Sequence, residues 1–285
     1  MRYLDVTTDY AFKRVFGSPQ SKPILISFLN ALLQNEGPHA IADLEIVDPY
    51  LVPVIEGMKD TFVDVKAVLA NGSRIIVEMQ VLNTPGFEQR ILYNAAKNYA
   101  QQLAKGQQYT LLNPVIAVTL TDFVMFDDSD AHVSRFKLLE QQRLTKYTDD
   151  LELVFVELPK FGKTEADLAT MEEFWLYFIK HSSEMDSVPA RFAADPALLQ
   201  AFEMAEESKL SLAELEMQHR RFDFIRLQRG SIEKAGLDGE ARGRGIGLVE
   251  GRAEGKAEGL ELALQRLIAA GVAEDKAREM LGMVA

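Results

Sequence analysis

The chain is predicted to fold as an α/β protein, a mixed sheet flanked by helices with a C-terminal helical extension. Three observations carry this. Residues 62–82, FVDVKAVLANGSRIIVEMQVL, are two alternating runs around Asn71-Gly72, the pattern of a hairpin with one apolar face. NPVIAVTLTDF and LELVFVEL are near-continuous apolar runs, the signature of strands buried on both faces. Beyond Pro159 the periodicity becomes helical. Strands followed by helices place those helices on the sheet or in a second small domain.

Taken in order, TTDYAFKRVFG reads as a short helix with Thr7 or Thr8 as N-cap and Gly17 as stop. SKPILISFLNALLQ is a second helix, with Pro23 in its first turn. Residues 41–48, 61–69 and 74–82 read as strands. FEQRILYNAAKNYAQQLAKG follows as a helix of about five turns ending at Gly106. After the two apolar strands, EADLATMEEFWLYFIKHSS, PALLQAFEMAEESKL and SLAELEMQHRRFDFIRLQRG read as helices, and ALQRLIAAGVAEDKAREMLG as two short ones broken at Gly271. The expected division is 1–160 as the core, 161–235 as a helical extension and 236–285 as a glycine-rich tail with short helices.

Composition limits the function. The 285 residues, 47% hydrophobic and 26% charged, describe a globular chain of roughly two domains. No apolar run approaches the length of about 20 residues that spans a bilayer, so no membrane partner is expected. With no cysteine, disulfides and thiolate metal sites are excluded. The start, MRYLDVTTDY, lacks a leader pattern; together these predict a cytoplasmic protein. Four scattered His residues and no HExxH argue against zinc. A net charge of −12 excludes a generic basic nucleic-acid coat but not a nuclease, whose site needs local carboxylates.

The hairpin pattern fixes which side chains share a face. Val63, Val65, Ala67, Leu69, Ile75, Val77, Met79 and Val81 are odd-numbered and apolar, whereas Asp64, Lys66, Glu78 and Gln80 are even. A two-residue Asn-Gly turn would pair odd with even, so a three-residue loop with a left-handed glycine, or a bulge, is predicted instead. Two carboxylates within reach of each other repel unless a cation lies between them. Mg²⁺ or Mn²⁺ suits hard carboxylate oxygens and water, and can activate water and offset phosphate charge. The alternative is an edge hairpin with one solvated polar face.

Read together, these stretches resemble the recombination-promoting nuclease/putative transposase family of the PD-(D/E)XK nuclease superfamily. The residues that carry the resemblance are Asp9-Tyr10-Ala11-Phe12-Lys13 with Phe16-Gly17, Val63-Asp64-Val65 and Val77-Glu78-Met79-Gln80. They continue with Phe87-Glu88-Gln89-Arg90 and Tyr93, Gly106 and Tyr109 before Pro114-Val115-Ile116, Leu158-Pro159-Lys160-Phe161, Trp175-Leu176, and the GRAEGKAEGL tail. The resemblance implies a restriction-endonuclease-like fold and divalent-metal-dependent endonuclease activity on DNA, linked to recombination or mobile elements. Gln80 stands where the superfamily has lysine, and a neutral amide supplies no positive charge.

The expected site is therefore Asp64 and Glu78 as metal ligands, Gln80 orienting water or phosphate, and Lys66 assisting. Arg90, Lys97 and Lys13 are candidates to meet the substrate, and Lys66 or Lys97 to replace the missing lysine charge. Asp9 either joins the metal site or caps the first helix. Glu45 is a further possible ligand, with a solvated strand position as its alternative. Arg90, Asn94 and Lys97 form one stripe of their helix, facing either phosphates or water. The Gly243–Gly247 stretch fits neither a phosphate loop nor a dinucleotide motif. Phe174, Trp175 and Phe178 are expected in the core or at a domain contact.

In the tail, glycine recurs at 239, 243, 247, 251, 255 and 259. Placed on a helix, Glu250, Glu254 and Glu258 lie about 200° from Arg252 and Lys256, so acids and bases pair only between two parallel helices. This predicts a homo-oligomer through residues 236–285, with a flexible linker as the alternative. A non-catalytic, DNA-associated or self-assembling protein that kept the fold is the rival to the enzyme.

Overall fold

The computed structural model describes residues 2–51 and 61–283. It divides into two units, Met1–Ile225 and Arg226–Ala285.

In the first unit, α1 (Asp9–Phe16) and α2 (Lys22–Leu33) precede β1 (Leu44–Val47). Two short strands, β2 (Tyr50–Leu51) and β3 (Thr61–Phe62), pair with each other apart from the main sheet. Then come β4 (Val65–Leu69), β5 (Arg74–Gln80), α3 (Phe87–Ala100), β6 (Val115–Thr121), β7 (Val133–Lys137) and β8 (Leu151–Glu157). The six-stranded sheet has the order β1-β4-β5-β6-β8-β7. Its central pairs β5–β6 and β6–β8 are parallel and the remaining pairs antiparallel, the mixed α/β architecture the sequence predicts.

The hairpin register agrees with the periodicity. Val65 pairs with Val77 and Ala67 with Ile75, and Leu69 N–H reaches Ser73 O across a three-residue loop. Gly72 sits in that loop at φ 86°, the left-handed conformation that glycine adopts without steric cost. One sheet face carries Val65, Ala67, Ile75, Val77 and Met79 into the main core with α1 and α2. The opposite face packs Ile76 and Ala117 on Ala95 of α3, and Phe155 on Phe87 and Ile91.

The helices after β8 complete the first unit. They are α4 (Met171–His181), α5 (Ala190–Ala193) and α6 (Pro196–Ala205). Thr170 and Glu173 form a reciprocal capping box at the start of α4. Trp175 of α4 is fully buried against Phe16, Phe28 and Phe178, with its indole N–H donating to Ser27 Oγ at 3.2 Å. It is thus a core residue of the same apolar cluster that holds the sheet. The 58-residue helix α7 (Leu212–Ala269) starts in this unit and continues into the second.

Several elements depart from expectation. The strand expected over 61–69 is broken at Val63-Asp64, where the chain leaves β3 and enters β4. Val63 consequently packs with Ile76 on the α3 side, not with Val65. The helix expected to reach Gly106 ends at Ala100. Beyond it, Gln102 exchanges two hydrogen bonds with the Asn113 backbone, at 2.8 and 2.9 Å, and this tertiary clamp outweighs further helix. The edge strand β7 was not foreseen; Lys137, on that strand, ion-pairs with Glu152 of β8. In the second unit the glycine-rich stretch is helical as part of α7, Gly271 breaks the chain at φ 89° as expected, and α8 (Glu274–Met280) follows.

Candidate functional site

Asp64 owes its position to the break between β3 and β4. The β4–β5 ladder ends at Val65↔Val77, and two residues further along β5 the Met79 N–H donates to Asp64 Oδ2 at 2.7 Å. The carboxylate thus takes an amide that the interrupted ladder leaves without a strand partner, and buried amides need one. Gly17 makes room for this. A Cβ there would lie 2.9 Å from Lys13 O of α1 itself and 3.3 Å from a Val65 methyl at the start of β4.

On the far side of Asp64 stands α1. Lys13 Nζ is 2.8 Å from Asp9 Oδ1 and 3.3 Å from Asp64 Oδ1. Burial pushes the Asp64 carboxyl up to about 7, with Asp9 adding to the rise and the Met79 amide opposing it. Burial also works upward on Asp9, but the hydrogen bond and charge of Lys13 overcome it and hold Asp9 below the ordinary range. The two neighbouring acids are thus shifted in opposite directions, the buried one upward and the more exposed one downward. Neither Thr7 nor Thr8 caps α1 through its side chain; Thr8 is the N-cap by its backbone alone, and Asp9 is the first helical residue.

Glu78 lies on the α3 side of β5, 8% exposed. Its Oε1 accepts from Asn94 Nδ2 at 2.7 Å and its Oε2 lies 4.0 Å from Arg90. Burial raises its pKa, with Asn94 and Arg90 opposing. Asn94 Oδ1 is buried without a partner. Arg90 donates to Gln80 Oε1 at 2.6 Å, while Gln80 Nε2 donates to Leu82 O at 2.6 Å. Gln80 therefore holds the Arg90 guanidinium beside Glu78.

These groups line one cavity of about 410 Å³, which brings together Asp9, Lys13, Asp64, Glu78, Gln80 and Arg90. Two expected contributors are not among its lining. Lys66 pairs with Ile76, further from the cavity end of β5, half-buried, and burial with the neighbouring Arg74 lowers its pKa against the opposing pull of Asp48. Lys66, expected to assist at the site, shares the parity of Glu78 but does not line this cavity. Lys97 is 3% exposed, and its ammonium donates to Thr61 Oγ1 at 3.3 Å. It ties α3 to β3, and Thr61 is what reaches the cavity. Glu45 lies opposite Val68 and lines a different hollow, with Lys22 and Asp43.

Sequence reasoning missed part of the wall. Phe62, Arg221, Phe224 and Ile225 also line the cavity. In QHRRFDFIRLQR the last three recur at i, i+3 and i+4, one helix face, but nothing local ties that face to a hairpin more than a hundred residues earlier. Of the α3 stripe read as facing either phosphates or water, Asn94 and Lys97 are buried.

Among the described residues no three His, Cys, Asp or Glu side chains cluster as a metal centre. The donor set nonetheless fits a hard divalent cation, which is commonly held through one or two carboxylates with water and phosphate completing its shell. Two largely buried carboxyls with raised pKa values, Asp64 and Glu78, line the same cavity as Asn94.

A mixed sheet whose acid-bearing hairpin opens between α1 and α3 is the fold of a PD-(D/E)XK nuclease. Residues 6–235 match the family described as PD-(D/E)XK nuclease family transposase, and the chain belongs to that family. No curated protein and no solved structure matches it. No helix among the described residues is long and apolar enough to cross a membrane.

Proposed function

We propose that this nuclease-family protein is a divalent-metal-dependent endonuclease acting on DNA in the cytoplasm, in recombination or in the movement of mobile elements. The observation that carries the reading is the pair Asp64 and Glu78, both largely buried in the wall of one cavity with Lys13 and Arg90 beside them. Holding two carboxylates ionised in such a place is costly without a compensating cation. Asp64 and Glu78 are the residues to hold Mg²⁺ or Mn²⁺, with Asp9 holding Asp64 in place through Lys13. Bound there, such an ion would polarise the scissile phosphate and lower the pKa of the attacking water. Arg90, held by Gln80, meets charge that develops on the phosphate, and Lys13 offers a second positive contact.

The test is nicking of supercoiled plasmid by the full chain. Cleavage with Mg²⁺, none with EDTA, and a loss of at least a hundredfold in Asp64→Ala and Glu78→Ala are expected. Cleavage that Asp64→Ala leaves untouched would refute the assignment.

The tail supports a second part of the proposal, homo-oligomerisation through residues 236–285. Interior glycine costs about 1 kcal/mol relative to alanine, yet α7 continues through six glycines spaced four apart. Packing against a second copy would offset that cost. Parallel pairing would set Glu250, Glu254 and Glu258 against the partner's basic flank.

A further inference from the structure

We infer that the cavity takes an unpaired stretch of DNA, with nucleobases stacking on Phe62 and Phe224, so that the preferred substrate is single-stranded or frayed rather than intact duplex. The inference rests on the nuclease reading of the same cavity and adds its substrate class.

Two exposed aromatic rings line the cavity that holds the acids. Phe62 is 66% and Phe224 49% exposed; Tyr109, Phe136, Tyr147 and Phe222 are exposed too, but they do not line this cavity. Phe62 is backed by Tyr50, stacked at 4.7 Å with 27° between the planes. That support keeps one ring face in place while leaving the side chain open. Phe224 carries the guanidinium of Arg221 5.9 Å from its centroid. A supported aromatic beside an arginine is the equipment for base stacking, which needs no particular sequence.

The charge balance of the wall weighs against an intact duplex. Lys13, Arg90 and Arg221 stand against Asp9, Asp64 and Glu78, three cations to three acids. Lys13 is already engaged by two of those acids and Arg90 lies against the third. The wall of this cavity therefore offers no surplus of positive charge to grip a duplex backbone, which is bound chiefly through its phosphates. Stacking must supply what charge does not, and it requires base faces that intact duplex hides.

The experiment measures fluorescence anisotropy of the full chain in EDTA with a short labelled oligodeoxynucleotide, the same strand annealed to its complement, and its RNA counterpart. The single strand of DNA is expected to bind at least tenfold more tightly than the duplex. Phe62→Ala and Phe224→Ala should each weaken single-strand binding about tenfold and leave duplex binding unchanged, whereas Phe→Trp variants keep it. Phe62→Leu and Phe224→Leu, which retain apolar bulk, should lose nearly as much as the alanine variants, separating stacking from folding. Equal or tighter duplex binding, binding of RNA alone, or phenylalanine variants that weaken both DNA forms alike overturn the inference. Mg²⁺-dependent nicking without single-strand preference removes this inference and leaves the nuclease. Single-strand preference without nicking does the reverse.

Discussion

Asp64 shows how burial turns an ordinary acid into a site. Its carboxyl is raised to about 7, against about 3.9 in an unfolded chain. Between those values the folded protein binds the extra proton, so stability falls as pH rises from about 4 to about 7 and the full cost remains above that. Asp64→Asn removes the cost. In EDTA it should raise the midpoint of thermal unfolding at pH 8, by on the order of 2 to 4 kcal/mol in stability, with the gain shrinking toward pH 4. Added Mg²⁺ should stabilise wild type and not the variant. A gain independent of pH would mean that Asp64 is ionised throughout. Gln80 and Arg90 make a second residue-scale prediction. Because Gln80 acts by holding the guanidinium, Gln80→Ala and Arg90→Ala should each slow nicking by about tenfold or more, and the double variant no further than Arg90→Ala alone. Additive losses in that cycle would separate the two roles.

Among the elements, the hairpin loop is the most exacting. Gly72 has φ 86°, and a Cβ there would lie 2.6 Å from Asn113 Oδ1, which leads into β6. Gly72→Ala is therefore expected to cost about 1–3 kcal/mol, read as a lower denaturant midpoint; an unchanged midpoint would show that the Asn113 side chain gives way. The odd-to-odd register and the left-handed glycine were legible in the sequence because both depend on residues within one hairpin. The break at Val63-Asp64 was not. It follows from the close approach of Gly17 and from the pairing of β3 with β2, contacts between separate segments. The end of α3 was misread for the same reason, since Gln102 is taken by Asn113.

At the scale of the molecule, the unit boundary follows Ile225 and the family match runs on to residue 235; the proposal that the tail from residue 236 serves assembly is tested by removing it. Deleting residues 236–285 should leave thermal unfolding of the first unit within a few degrees of the full chain. It should also reduce the mass seen in light scattering to that of one copy. An unchanged number of copies would end the proposal of assembly through the tail.

Sequence by itself determined the α/β class, the strands of the sheet centre, the hairpin register and the acids it carries. Alternation and turn chemistry are settled by neighbours a few residues apart. Only the tertiary structure decided which side chains meet. It brought Asp9 and Lys13 from α1, Arg90 and Asn94 from α3 and Arg221 and Phe224 from α7 to one cavity with Asp64 and Glu78, and it left Lys66 outside. Such convergence is set by how buried faces pack on a shared sheet, and no local pattern records which distant face that is.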